Sequence, residues 1–157
     1  MKIEIVKACL WDCSSLAGTL READRKELAA ISKGTPLASL QRCVSHSDKA
    51  WAVREIKTGR TLAVFGIREH PNAEGYGIIW MLGSRHLKHY RRELLTVSPG
   101  WIEEFHEDYH TLTNCVHAEN TAHIRWLKWL GCSFGDKFIG GINGEEFIPF
   151  VHEKEGE

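Results

Sequence analysis

Two histidines that flank a glutamate form the most recognisable group of reactive side chains in the sequence. The segment His106-Glu107-Asp108-Tyr109-His110 matches the H-E-x-x-H pattern. In that pattern two imidazoles on one helical face bind zinc, and the glutamate acts as a base in hydrolysis. A third ligand would have to come from Glu119, His117 or His123. The longer pattern that carries its own third histidine is absent.

Other features of this segment favour a structural role over a zinc site. Asp108 places a charge where the helices of zinc hydrolases carry uncharged residues. With nine histidines in the chain, a chance match to so short a pattern is not rare. The interpretation we favour is that Phe105 and Tyr109 face the core while the two histidines face water. No metal cofactor is therefore expected, and a zinc hydrolase is kept as a minor alternative.

A second reactive segment is strongly basic. Residues 85–92 contain four arginine or lysine side chains and two histidines, with no acidic residue. Such cations bind phosphate well, although a solvated basic loop is the plainer alternative. Contact with RNA or DNA is not favoured, because no other basic stretch or aromatic platform supports it.

The elements that must position these residues follow from the apolar periodicity. Alternating or continuous apolar runs predict strands at residues 2–7, 50–56, 62–67, 76–82, 112–116, 137–140 and 147–151. Helical spacing and end signals predict helices at residues 20–31, 37–44, 98–109 and 121–130. In the third helix Ser98 is the predicted N-cap and Pro99 the first residue; in the fourth, Asn120 is the N-cap and Gly131 the stop signal.

This order of elements predicts an α/β fold, with a mixed β-sheet covered by helices on both faces. The uninterrupted apolar run 76–82 is typical of a strand that is buried on both sides. No repeat, linker or low-complexity tract divides the chain, so residues 1–157 are expected to form a single domain.

Composition limits the classes of protein to consider. A hydrophobic content of 43% with 26% charged residues is typical of a globular protein. Five scattered cysteines without a C-x-x-C pair favour reduced thiols in a cytoplasm. The N-terminus does not look like a secretion signal, and the apolar runs are too short to span a membrane. The net charge of −1 gives no global reason to expect nucleic acid as a partner.

One segment makes the order of elements more specific. From Val116 to Gly131, a strand ends in valine, Asn120 begins a helix, and glycine follows eleven residues later. This resembles the second sequence block of the GNAT (N-acetyltransferase) superfamily. The stretch Asn120 to Gly131 is more closely similar to short GNAT-like phage proteins and to the internal virion protein A family of podoviruses. The resemblance implies a GNAT-like fold and a location in the host cytoplasm, with possible association with the virion.

The resemblance also implies a cosubstrate, acetyl-CoA, and an amine acceptor. In the family's geometry the acyl donor would lie between strands 76–82 and 112–116. The main chain of Met81, Leu82 and Gly83 would pair with the pantetheine arm, and Asn120 is a further candidate to bind the donor. The usual glycine-rich loop for the pyrophosphate is absent here, so Arg85 and Lys88 are the candidates to replace it.

Candidate catalytic groups are less well defined. Many family members carry a tyrosine seven residues after the capping asparagine, and this chain has Leu127 there. A carboxylate on the strand 76–82 is a common general base; here the nearest one, Glu74, precedes the strand. His117 and His123 are further candidates, since imidazole titrates near neutral pH. For both, a structural role as a surface or cap histidine is the alternative.

Two main hypotheses follow for function. The first is an acyl-CoA-dependent N-acetyltransferase that acts on an amine of a protein or small molecule. The second is a GNAT-fold phage protein that has lost catalysis and acts by binding a host or virion protein.

Overall fold

The computed structural model describes residues 2–155. The secondary structure, in chain order, is β1 Ile3–Lys7, α1 Leu10–Ala17, α2 Glu22–Ile31, α3 Pro36–His46, β2 Lys49–Glu55, β3 Thr61–Glu69, β4 Tyr76–Gly83, a 3₁₀ turn Leu87–Tyr90, α4 Arg91–Asp108, β5 Thr111–His117, α5 Thr121–Trp129, β6 Ser133–Phe134, β7 Phe138–Ile139 and β8 Glu146–Glu153.

The strands form one mixed sheet in the order β1-β2-β3-β4-β5-β8-β6, and β7 also pairs with β8. Strands β4 and β5 run parallel, whereas the other neighbouring pairs among the described residues are antiparallel. The first four strands are neighbours in sequence and in space. The chain then crosses over through α4 to place β5 beside β4, as parallel strands require.

Helices cover both faces of the sheet, as the sequence predicts. Helices α1, α2 and α3 pack through Leu16, Leu28 and Leu40 against Val64 and Leu82. On the opposite face α4 and α5 pack against the sheet, and aromatic rings fix α4 in place. The rings of Trp51 and Trp101, for example, lie 4.6 Å apart. Because both faces are buried, strand β4 carries the continuous apolar run seen in the sequence.

Helix α4 differs from its prediction. It begins at Arg91, so Pro99 lies inside it and Ser98 is not an N-cap. The Ser98 hydroxyl instead donates a hydrogen bond to the carbonyl of Leu94 one turn earlier. The helix continues through the proline because its apolar stripe, which includes Leu94 and Phe105, packs on the sheet along its whole length.

Two further differences concern helices. Helix α1 is absent from the sequence-based prediction, which moved directly from the first strand to the second helix. Helix α5 does begin after Asn120, but the Asn120 side chain makes no capping hydrogen bond. The prediction of an asparagine cap is therefore wrong in its chemistry. Gly131 does have the positive φ, +99°, expected where the helix ends.

Candidate functional site

Strands β4 and β5 are paired only over their first residues. The last matched pair is Ile78 with Thr113, although both strands continue beyond it. Next to this point the side-chain amide of Asn114 donates to the carbonyl oxygen of Ile79, at 2.7 Å. The two strands then separate, which leaves an opening within the sheet.

Along this opening the main chain of β4 alternates between two directions. The amide of Ser84 donates to Leu62 of β3, so Gly83 and Met81 face the opening. Both main-chain groups of Gly83 have hydrogen-bond partners. The Gly83 N–H donates to Oδ2 of Asp24 in α2 at 2.8 Å, and the Gly83 carbonyl accepts from the amide of Arg21, the residue before α2, at 2.9 Å. Within residues 2–155, no comparable partner is found for the main chain of Met81, which also faces the opening.

A basic cleft of about 580 Å³ lies against one side of the opening. Its floor is apolar and includes Met81 and Trp126. Five cationic side chains line it against two acidic ones: Arg21, Arg85, Lys88, Arg91 and Arg125, with Glu22 and Asp24. The cleft therefore combines an apolar floor with a positive rim, which suits an anionic ligand with an apolar arm.

The main chain between β4 and α4 contributes little to this cleft. The amide of Arg85 donates to Thr19, and those of His86 and Leu87 both donate to Ser84. The amide of His89 is bonded to the carbonyl of His86. Because these N–H groups are already used, an anion at this point would have to be held by side chains.

An apolar cleft of about 290 Å³ involves α2 and β8 and also reaches the opening. Sixteen residues line it, among them Glu27, Trp80, Val116 and Phe147. Met81 and His123 line both the basic and the apolar cleft. The two clefts therefore meet at the opening between the separated strands.

Glu27 is the carboxylate of the apolar cleft. Its Oε2 accepts a hydrogen bond from Asn120 Nδ2 at 3.0 Å. Burial raises the pKa of Glu27 to about 7, and the nearby charge of Asp24 adds to this rise. The hydrogen bonds from Asn120 and from the main chain of His117 oppose it. A carboxyl with a near-neutral pKa is suited to accept a proton at physiological pH.

Asn120 joins this carboxyl to its neighbours. The Asn120 side chain is 2% exposed. Its carbonyl oxygen accepts from the guanidinium of Arg21 at 3.2 Å, and its NH₂ group faces both Glu27 and Asp24. All its hydrogen-bonding groups are thus directed at α2 and the residue that precedes it. This explains why none of them caps α5.

His123 stands at the junction of the clefts. Burial, with a contribution from the positive charge of Arg21, lowers its pKa to about 4. The ring is therefore neutral at pH 7, so it can accept or donate a hydrogen bond without carrying a charge.

The other sequence-predicted catalytic residues lie elsewhere. His117 is buried, its Nδ1 accepts from the amide of Glu119 at 3.1 Å, and its ring packs on Phe147. It lines neither cleft. Glu74 is exposed in the loop that precedes β4, seven residues before Met81. Leu127 is a buried core residue.

The cofactor-binding candidates are brought together, but not all in the same way. Met81, Gly83, Arg85 and Lys88 line the basic cleft. The main chain of Leu82 faces β3, and its side chain lines the apolar cleft. The sequence did not single out Glu27. A glutamate on the surface of a helix is common, and only its distant neighbours change its chemistry.

The H-E-x-x-H segment is part of the scaffold. Helix α4 ends at Asp108, so His110 is outside it. His106 does not face water as expected: it is buried, and its Nε2 lies 2.8 Å from Nδ1 of His152. Within residues 2–155, no three His, Cys, Asp or Glu side chains are grouped so as to hold a metal ion.

Comparison with known structures identifies the architecture. Ard1 of Thermoplasma volcanium superposes with a TM-score of 0.72 at 10% identity, with 98% of each chain covered. An N-acetyltransferase of Staphylococcus aureus Mu50 gives 0.71 at 13% identity, covering 98% of this chain and 99% of its own. The chain has the GNAT fold. At such low identity this likeness establishes the fold alone.

Other comparisons add two facts. The yncA structure of Salmonella typhimurium, solved with its cofactor acetyl-CoA, gives a TM-score of 0.67 at 14% identity, covering 100% of this chain and 96% of yncA. A family model described as bacteriophage T7, probable scaffold protein Gp13, matches residues 75–139, which is less than half of the chain. No curated protein sequence matches significantly.

None of the helices within residues 2–155 has the length and apolar character needed to cross a membrane.

Proposed function

We propose that this protein is an N-acyltransferase that takes an acyl group, such as acetyl, from acyl-CoA and transfers it to an amine. The observation that carries the proposal is the opening between β4 and β5. A basic cleft and an apolar cleft reach it, and Met81 and His123 line both of them. Two substrates could therefore meet at one point inside the sheet, as a direct transfer requires.

The basic cleft fits the donor. Its apolar floor would hold the pantetheine arm along the free main chain of Met81. Arg85 and Lys88 are exposed at its rim and would hold the pyrophosphate, in place of the main-chain amides that are already used. Gly83 and Asn120, also expected to bind the donor, have internal partners, so we do not assign donor binding to them.

The nucleotide end of the donor also has a place. Beyond the cleft a shallow groove continues between α4 and α5, lined by Arg91, Arg92 and Trp129 among others. The Trp129 side chain is 54% exposed. A flat indole beside two guanidinium groups suits a base and its phosphate.

Glu27 supplies the acid–base chemistry. It accepts a proton from the acceptor amine, directly or through one water, as the nitrogen forms a bond with the thioester carbon. The carbon–sulfur bond then breaks and the thiolate leaves, to be protonated from solvent. Neutral His123 lies where the reacting groups meet and offers a hydrogen bond without repelling the amine.

Calorimetry with acetyl-CoA tests the donor site. We expect the wild-type protein to bind, and the double variant Arg85→Ala/Lys88→Ala to bind about tenfold more weakly or worse, because charge-assisted hydrogen bonds are lost. The double variant Lys2→Ala/Lys57→Ala is the control: it removes the same charge at exposed positions that line neither cleft. Equal affinity for acetyl-CoA in both double variants would show that Arg85 and Lys88 do not bind the donor.

A second candidate function has support of its own. The amides of Gly83, Arg85, His86, Leu87 and His89 already have hydrogen-bond acceptors within the protein, which leaves fewer main-chain contacts for CoA. The match of residues 75–139 to a phage scaffold family also favours a protein that acts by binding. If the wild-type protein fails to bind acetyl-CoA at millimolar concentration, the acyltransferase proposal is wrong and this binding role takes its place.

A further inference from the structure

The chemistry of the apolar cleft defines what kind of amine fits it. We propose that the acceptor is a hydrophobic primary amine, an aryl- or alkylamine whose amino group is its only ionisable group. This rests on the proposed acyltransferase function, and it names the class of substrate for the apolar cleft.

The walls of the cleft are aliphatic and aromatic. Leu28, Val116, Phe147 and Phe150 are all buried side chains that line it. Trp80 adds an indole whose N–H already donates to Ser47 Oγ at 2.7 Å. The walls therefore offer apolar contact and few free polar groups, which favours an apolar ligand.

The charged residues of the cleft further limit the class of amine that it can bind. Of the described residues that line the cleft, Glu27 is the one carboxylate, and none is lysine or arginine. One carboxylate can pair with one ammonium group. The second ammonium of a diamine would lie against apolar walls without a partner, which is costly. A free amino acid would place its carboxylate near Glu27 with no cation of the cleft to balance it.

The mouth of the apolar cleft is also lined by apolar side chains. Ile31, at the end of α2, is 56% exposed, and Phe138 of β7 is 43% exposed. Both line the cleft. The amide of Ile142 donates to the carbonyl of Ala30 at 2.8 Å, which ties the loop after β7 to α2. Apolar groups that project beyond the cleft would therefore still find apolar surface.

Matched amines test this class. 2-Phenylethylamine and L-phenylalanine differ by a carboxylate, and butylamine and 1,4-diaminobutane differ by a second amine. We expect kcat/KM for acetyl transfer to be at least about tenfold higher for the first member of each pair, because the additional charge of the second member would be buried without a partner. Equal rates, or a preference for the second members, would overturn the proposal.

A substitution at the mouth provides a gain of function. In Ile31→Asp a second carboxylate joins the cleft, and we expect the preference for butylamine over 1,4-diaminobutane to shrink or invert. Ile56→Asp is the control, since Ile56 is similarly exposed at 52% and lines neither cleft. The same shift in both variants would show that it comes from general charge and not from the cleft.

Binding without the donor separates this inference from the proposed function. Ligand-observed NMR at pH 8 measures the affinity of the four amines for the protein alone. If they bind in the expected order but no acetyl group is transferred, the acyltransferase proposal fails and the amine class stands. If 2-phenylethylamine and butylamine do not bind, or bind no better than L-phenylalanine and 1,4-diaminobutane, the amine class is wrong.

Discussion

At the scale of single residues, Asn120 shows how one side chain can be recruited away from its local role. Its position before α5 favours an N-cap, and asparagine is among the best residues for that. In the structure its amide group is instead shared among Arg21, Asp24 and Glu27. The helix start is therefore tied to α2, and the asparagine also holds the carboxylate proposed as the base.

Asn120→Asp separates these two roles. Aspartate caps helices as well as asparagine does, so a capping role predicts unchanged stability. In the wild type the NH₂ group of Asn120 faces Asp24 and Glu27. In the variant a third carboxylate takes its place. We expect the free energy of unfolding at pH 7.5 to fall by about 1–3 kcal/mol, measured by urea denaturation.

Thr35→Asp is the matched control for this experiment. The Thr35 hydroxyl does cap α3, accepting a hydrogen bond from the Ala38 amide at 3.2 Å. Aspartate there should change stability by less than about 0.5 kcal/mol. Equal stability of the Asn120 variant and the wild type would contradict the network.

Glu27 makes a prediction about pH. Because its pKa is about 7 in the folded protein, we expect kcat/KM to rise with pH up to about 7 and then level off, as the base form accumulates. An arylamine is used as the acceptor because it is uncharged throughout this range, so the pH–rate profile reports only the titration of protein groups. In Glu27→Gln the rise should disappear and the rate should fall. A rise that persists in Glu27→Gln would assign it to another group.

The same pKa has the opposite effect on stability. A carboxyl whose folded pKa lies above its ordinary value of 4.5 binds its proton more tightly in the folded state. Its contribution to stability is complete below about pH 4.5 and is lost as the pH rises to about 7. Glu27 therefore reacts best under conditions in which it stabilises the fold least.

At the scale of elements, the long helix α4 shows where sequence signals mislead. Ser98-Pro99-Gly100 has the composition of a helix start, yet it lies in the middle of α4. Proline and glycine are both unfavourable inside helices, at about 3 and 1 kcal/mol relative to alanine. Packing of the apolar stripe of α4 against the sheet outweighs both of these costs. The local sequence around residue 99 does not reveal this packing energy.

Gly100→Ala tests the cost of this arrangement. A Cβ atom at Gly100 would meet no atom within 4 Å. Alanine should therefore raise the free energy of unfolding by roughly 0.5–1 kcal/mol, because it lowers the entropy of the unfolded chain and favours the helix. Urea denaturation at neutral pH measures it.

Gly66→Ala provides the contrast in β3. A Cβ atom there would lie 2.7 Å from the carbonyl oxygen of Lys49 and 2.9 Å from the ring of Trp80. We expect it to destabilise the protein by roughly 1–3 kcal/mol. A loss of stability in Gly100→Ala as well would mean that α4 needs its glycine for a reason other than space.

Helix α1 went unpredicted for a related reason. It is eight residues long, and its second residue, Trp11, is exposed while Asp12 is buried. That inversion hides the helical pattern. Asp12 is stable inside because Arg54 of β2 donates two hydrogen bonds to it, both at 2.9 Å. A partner so far along the chain cannot be found from local spacing.

At the scale of the whole molecule, the order of elements was largely predictable. The doubly covered strand β4, the hairpin of β2 and β3, and the strand and helix that end at Gly131 all follow from periodicity and end signals. Three cations of the basic segment, Arg85, Lys88 and Arg91, line the basic cleft, and their binding of phosphate stays a prediction. Each of these depends on residues close together in the sequence.

The candidate site was less predictable because it depends on distant contacts. Glu27 and Asn120 are 93 residues apart in the chain. The raised pKa of Glu27 arises only once α2 and the start of α5 bury it together. The opening itself depends on where the pairing of β4 and β5 stops, which no single strand encodes.

The opening also leaves an unpaired strand edge inside the sheet, and such edges are templates for aggregation. Here the edge is closed on either side of Met81. Asn114 binds the Ile79 carbonyl, while Asp24 and the Arg21 amide occupy Gly83. A free edge one residue long is too short for a strand of another molecule to pair with. The same contacts that narrow the site thus protect the protein from edge-to-edge association.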